Sequence, residues 1–274
     1  MSLIGQNLRT FFKKIRNDGD DLPLTMMEIT NERITRKKYT RDTMIVSQRV
    51  VNTTERIIAP NGINLPETTF PLSLRTLSVA SSSVNDTITG TGAQTIIVGG
   101  LDETFNVVRE TLSLNGQNPV NTVNQYFRIN DLFVVNSGSS NKNEGFIYVS
   151  DDTDTFINGQ PQNRYYFGME IGDCVGKTGV YTVPAFSSWT PSLMEVDTDA
   201  TSAKPVRLRF YKDNKKQGGN SFARRERYYI SSGRTFDLSN APDLDAGSDF
   251  YITAEAIQGN VDIHISHYSI IKKR

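Results

Sequence analysis

From about residue 72 onward, apolar and polar residues alternate in short runs, broken every ten to fifteen residues by Gly, Asn, Asp or Pro. A half-buried strand has this period of two because successive side chains point to opposite faces. The runs cover residues 72–80, 94–98, 105–114, 126–136, 145–150, 164–171, 178–184, 188–196, 206–211, 225–230, 250–257 and 261–271. Gly99-Gly100 and Asn115-Gly116 supply turns between them, since both residue types tolerate positive φ. In 105–114, Phe105, Val107, Leu112 and Leu114 are apolar and Arg109, Thr111 and Ser113 polar, which predicts a change of phase between Val108 and Leu112. In 126–135, Phe127, Ile129, Phe133 and Val135 share one parity while Leu132 and Val134 take the other, so burial on both faces is expected at the C-terminal end. In the last run Val261, Ile263 and Ile265 alternate with polar residues, and Tyr268 and Ile270 fall on the opposite parity, predicting a phase change near His267.

Helical periodicity is confined to the start of the chain. Leu8, Phe11, Phe12 and Ile15 sit at i, i+3, i+4 and i+7, an apolar stripe on one short helix. Asn17 to Asp21 and then Pro23 end it. A basic group follows at Arg33, Arg36, Lys37, Lys38 and Arg41. Turn signals from Asn61-Gly62 to Pro71 place a boundary there, giving an arm over 1–60 and a β-domain over 61–274. The reading is an all-β chain: a β-sandwich, with the jelly roll as the favoured version because eight strands in two sheets fit within about 200 residues, and an extended N-terminal arm holding one short helix.

One order of pieces along the chain is specific. A Ser-rich lead is followed by Asp86-Thr87, Gly90-Thr91-Gly92-Ala93, Gly100-Leu101-Asp102 and Leu114-Asn115-Gly116, then by Gly176-Lys177-Thr178-Gly179 and the run Val206 to Tyr211. In this order the chain resembles virion structural proteins of tailed phages and large aquatic viruses, over roughly residues 72 to 271. The resemblance implies a virion component whose partners are other copies of itself and other virion proteins.

Charge and composition narrow the function classes. Thirty Lys+Arg balance thirty Asp+Glu, so no global field draws the chain to nucleic acid or to a membrane. Residues 1–41 hold nine Lys/Arg against five Asp/Glu, an excess of four, leaving the remainder at minus four. Leu8, Phe11, Phe12 and Ile15, together with Arg36, Lys37 and Lys38, are therefore the candidate assembly interface. A helix docked on its own domain is the plainer alternative. The single cysteine, Cys174, excludes an intrachain disulfide and a multi-cysteine zinc cluster. There is no run of eighteen apolar residues for a spanning helix, and the N-terminus lacks a signal-peptide pattern. The expected location is the virion, assembled in the host cell interior.

Candidate chemistry is sparse. His264 and His267, the only histidines, lie three apart on a strand and so point to opposite faces. Asp151, Asp152 and Asp154 offer hard oxygen ligands, but without the spacing of an EF-hand loop; solvated Asx-turns are the preferred reading. Asp237, Asp243, Asp245 and Asp249 are read as turn acids in the same way. Residues 172–179 contain Gly-Lys-Thr, yet Ile171 stands where a phosphate loop needs Gly, and a hairpin turn is expected instead. Lys212, Lys215, Lys216, Arg224, Arg225 and Arg227, interleaved with Phe222, Tyr228 and Tyr229, are read as strands flanking a solvated loop; stacking of bases or sugars is the alternative. Tyr165, Tyr166 and Phe167 raise the same question for glycans. The expectation is a non-enzymatic, capsid-associated virion protein (vertex, minor or decoration) with no catalytic residue, metal, cofactor or small-molecule substrate. A tail or neck component, or a carbohydrate-binding sandwich of a fibre or spike, is the rival.

Overall fold

The computed structural model describes residues 39–58, 70–71, 73–176, 179–201, 203–214, 226–238 and 243–273. Two compact units divide the chain, Met1–Thr40 and Arg41–Arg274. The described residues form strands, turns and loops. The expected helix at Leu8, Phe11, Phe12 and Ile15, and the basic group Arg36, Lys37 and Lys38, lie outside them.

The described residues begin with β1 (Tyr39–Val51) and β2 (Arg56–Ile57). Nine strands follow: β3 (Leu77–Ser81), β4 (Ala93–Leu101), β5 (Val107–Ser113), β6 (Val120–Asn121), β7 (Arg128–Ser137), β8 (Ile147–Asp151), β9 (Phe156–Ile157), β10 (Gln160–Pro161) and β11 (Phe167–Met169). Eight more complete the fold: β12 (Val180–Thr182), β13 (Ser187–Thr198), β14 (Val206–Asn214), β15 (Glu226–Ile230), β16 (Arg234–Asp237), β17 (Leu244–Asp245), β18 (Ser248–Ala256) and β19 (Val261–Lys273).

The first two strands and the last eight make one body. Its sheets run β1-β19-β13-β16, with β17 continuing the β16 edge along β13, and β12-β18-β14-β15, with β2 beside β12 on β18. Counting β2 with β12 and β16 with β17 leaves eight positions, ordered 1-8-3-6 in one sheet and 2-7-4-5 in the other. That is the wrapped double Greek key of a jelly roll. Between the sheets lies a core built from Trp189, Met194, Val196, Leu208, Phe210, Phe236, Phe250, Ile252, Ile263 and Ile265 among others.

The second position of the roll is interrupted. Arg56 and Ile57 pair with Ala254 and Thr253, and Val180 to Thr182 take up the same edge at Tyr251 to Asp249. Between them Ile252 donates its amide to the Gly179 carbonyl (2.9 Å) and accepts from the Ile58 amide (3.0 Å). The Gly179 amide also reaches the Ile58 carbonyl, at 2.8 Å. The chain therefore leaves the roll at Ile58 and returns beside it at Gly179. A Cβ on Gly179 would crowd the Ile58 carbonyl, so the close return requires glycine.

The intervening residues build a second sandwich with its own core. Its sheets are β11-β8-β3-β6 and β5-β4-β7, packed through Leu77, Val79, Ile96, Val98, Leu112, Leu132, Ile147, Val149 and Phe167. The β9–β10 hairpin is separate, and Phe156 from it packs on Phe146, Tyr148 and Tyr165. The all-β sandwich and its jelly-roll order follow the sequence expectation. The boundary near residue 60 does not match the compact unit, which starts at Arg41. The short runs around Val50 and Ile57, split by Asn52 to Glu55, could be strand pieces or connectors on sequence grounds, and they are strands. In the structure β1 pairs with β19, and Ile58 is fully buried in the roll core.

Three expectations about phase are corrected. In β5 the inward row is Val108, Glu110 and Leu112 without a break, and Val107 is 56% exposed. Glu110 is tolerated in that row because its carboxylate accepts the amides of Val123 (2.8 Å) and Asn124 (2.9 Å). In β19 the inward row runs Val261, Ile263, Ile265, His267, Ser269, also unbroken. The irregularity sits on the partner strand, at a bulge between Pro191 and Leu193. Proline has no amide for a ladder, and a bulge is where a central strand accommodates it. In β7, Arg128, Ile129 and Leu132 are buried, Phe133 is half-buried and Val135 is 46% exposed. Burial is concentrated toward the start of that strand; along its outer edge the strip from Cys174 to Gly176 meets Leu132 to Val134, and Val135 and Asn136 lie beyond it.

Candidate functional site

Three of the pieces quoted for the resemblance meet at one end of the inserted sandwich. Asp86 is fully buried. Its Oδ1 accepts the amides of Ala93 (2.7 Å) and Glu144 (2.9 Å), and its Oδ2 accepts the Gly145 amide (2.8 Å) and the Ser81 hydroxyl (2.5 Å). A Cβ on Gly92 would strike this carboxylate, and one on Gly90 would strike the Asn85 carbonyl. The Asp86 carbonyl takes the amide of Gly116, whose φ of 60° suits glycine. So Asp86-Thr87, Gly90 to Ala93 and Leu114-Asn115-Gly116 form one hydrogen-bonded knot. On its rim the Glu144 carboxylate accepts from Thr91 (2.6 Å) and Asn85 (2.7 Å), and these bonds hold its pKa below the usual glutamate value.

At the other end of β3, Asp151 is buried and paired with Arg75 and with Arg164 at 3.1 Å. It also accepts the hydroxyls of Tyr166 (3.1 Å) and Thr153 (2.7 Å) and the Thr153 amide. Burial raises the pKa of Asp154, but bonds from the Arg164 amide, Asn163 and Ser150 outweigh it, and the net shift is downward. Two guanidinium groups on Asp151 supply the positive charge that a cation would bring. The loop is an Asx-turn system closing β8, as preferred on sequence grounds.

The strongest buried pair joins the two sandwiches. Arg128 of β7 and Asp249 of β18 meet in a two-pronged salt bridge, Nε to Oδ1 and a terminal nitrogen to Oδ2, both at 3.0 Å. The other terminal nitrogen donates to the carbonyls of Pro71 (3.0 Å) and Phe127 (2.7 Å), and the rings of Phe70 and Phe127 lie 4.3 and 4.1 Å from the guanidinium. Asp249 also accepts the Thr182 hydroxyl at 2.6 Å, while Asn130 bonds the Thr182 carbonyl at 2.8 Å. Asp249 was grouped with turn acids on sequence grounds; it lies inside β18 instead. The detectable signal was an arginine within an apolar strand run, which calls for a buried counter-charge.

The remaining flagged residues are placed as follows. His267 is buried and His264 exposed, on opposite faces of β19 as the spacing required. The loop before Gly179 does not close a hairpin: Val134 donates to the Cys174 carbonyl (2.9 Å) and Gly176 to that of Leu132 (2.6 Å), before the chain crosses to β2. Lys177 and Thr178 lie outside the described residues. Tyr165, Tyr166 and Phe167 are buried, so they form core and no glycan platform. Arg227 is exposed, Tyr228 packs between Phe210 and Phe236, and Tyr229 lies against Arg207. Lys215, Lys216, Phe222, Arg224 and Arg225 are outside the described residues, as is the candidate interface Leu8, Phe11, Phe12, Ile15, Arg36, Lys37 and Lys38.

No family model and no curated protein matches the chain. Solved structures that align with it include infectious bursal disease virus, Gx strain, at 11% identity and a TM-score of 0.24, covering 86% of this chain and 71% of that one. The VP2 subviral particle of the same virus aligns at 11% identity and 0.24, covering 86% and 72%. Vicilin from Capsicum annuum aligns at 8% identity and 0.17, covering 87% and 77%. The strand order described above, and not these alignments, establishes the fold.

Proposed function

We propose that the chain is a non-enzymatic virion structural protein, a capsid-associated subunit of vertex, minor or decoration type. The observation that carries this reading is how the polar residues are used. Asp86, Asp151 and Asp249 are each buried and each consumed by structural partners: backbone amides, two arginines and one arginine. Buried acids used in this way hold loops and the two sandwiches in place, which supports a scaffold over a reaction centre. The jelly roll, used by capsid proteins as well as lectins and cupins, accommodates this role. The resemblance over residues 72 to 271 supplies the virion context.

The assembly contact in this reading is the N-terminal segment, through Leu8, Phe11, Phe12 and Ile15 and the basic group at Arg36, Lys37 and Lys38. Four such side chains covered by a neighbour contribute roughly 1.5–3 kcal/mol each before ordering costs. Deleting residues 1–38, which precede β1, tests it. The truncated chain is expected to melt cooperatively and to fail to enter particles. Normal occupancy of particles by the truncated chain would move attachment to the roll or the inserted sandwich.

A further inference from the structure

The core of the jelly roll encloses a histidine. His267 is on the inward row of β19, fully buried, opposite Met194 of β13. Its ring packs on Trp189 with centroids 5.1 Å apart and on Phe250 at 5.4 Å, and Tyr181 stacks on the indole at 5.6 Å. Among the described residues neither ring nitrogen has a hydrogen-bond partner, and Trp189 Nε1 and Ser248 Oγ are likewise buried without one.

Among the described residues the groups around the ring are uncharged at neutral pH: Trp189 and Met194 from β13, Phe250 from β18, and Tyr181 from β12 beyond the indole. The acids of these strands face elsewhere. Asp249 is held by Arg128, and Glu195, Asp197 and Asp262 are exposed. Asp243 and Asp245, beside β13, are also exposed, Asp243 on Lys272 at 3.2 Å. Among the described residues no acid faces the ring, and full burial takes it out of solvent, so an imidazolium at this position is poorly stabilised.

We propose that His267 is an acid-sensitive latch: neutral, it lets the two sheets of the roll close over Trp189 and Phe250, and its protonation loosens them. Burial lowers the pKa of His267 to about 3, against about 6.5 for an unperturbed histidine. The unfolded chain then binds the proton more tightly than the folded one. Stability is complete above about pH 6.5 and falls as the pH drops from there toward 3. Between pH 7.5 and 5.0 the unfolded-to-folded ratio rises about 30-fold from this group alone. A coat subunit so equipped is firm at neutral pH and loosens on acidification.

The test is equilibrium urea unfolding of the full chain at pH 7.5 and 5.0. Wild type, His267→Phe, His267→Leu and His264→Gln are compared. Wild type and His264→Gln should shift by about 30-fold across the window, and the two His267 variants by less than about 3-fold. An unchanged wild type, or His267 variants as acid-sensitive as wild type, overturns the proposal. NMR of the wild-type imidazoles gives a readout that needs no variant to fold. At pH 5.0 in the folded chain the His267 imidazole should be neutral; a charged His267 there also overturns it.

Discussion

Arg128 and Asp249 are 121 residues apart in sequence and 3.0 Å apart across the junction of the two sandwiches, with 2% and 0% of their side chains exposed. Desolvating both charges is costly, and their pairing with the Pro71, Phe127 and Thr182 groups offsets that cost only while every member is present. Arg128→Ala is expected to cost about 3–5 kcal/mol, because it strands a buried carboxylate. The double change Arg128→Met with Asp249→Leu should cost less than that single change. Urea denaturation of the three proteins checks this ordering; a double mutant less stable than Arg128→Ala would contradict it.

Asp86 has four donors on its carboxylate. Asp86→Ala leaves the buried amides of Ala93 and Gly145 unsatisfied, at about 1–3 kcal/mol each. Destabilisation on the order of 3 kcal/mol or more is expected, with faster amide exchange in residues 81–93 and 143–146. A loss below about 1 kcal/mol would mean that the loops hold their shape without it.

Within β7 the ranking of core residues is sharp. Leu132 is buried and Phe133 half-buried. Leu132→Ala is expected to cost about 2–5 kcal/mol, the usual core truncation range. Phe133→Ala should cost less, although the side chain is larger. Thermal melts of the two variants decide it, and the reverse order would place the core on the other face.

The strand grammar was legible because a period of two and a turn such as Asn115-Gly116 are local signals. Gly99-Gly100 misled, since the pair is no turn and lies inside β4, paired with Arg109 and Val108. The Asp86 knot was half-legible: its residues stood out in order along the chain, but only their meeting in space shows one carboxylate tying them together. The unbroken rows of β5 and β19 were not legible. Glu110 and His267 occupy inward positions with polar side chains, and a pattern reader registers them as phase breaks. The split roll was hidden for a topological reason. Ile57 and Val180 share one edge of β18 with more than a hundred residues between them, and no local pattern records that.

That split makes its own prediction. Because the Ile58 carbonyl and the Gly179 amide are 2.8 Å apart, residues 59–178 are replaceable by a short Gly-Ser linker. The shortened chain should fold as a β protein with a cooperative melt, since the roll keeps its own core. Circular dichroism and calorimetry check this. A chain without a cooperative transition would show that the two sandwiches fold as one.

A density map of intact particles, isolated from cells in which this chain is made during infection, tests the virion reading most directly. The account predicts repeated copies of a jelly roll with a second sandwich attached at the Ile58–Gly179 junction, and the N-terminal segment lying against a neighbouring subunit. Particles whose map and protein content lack this chain would contradict it.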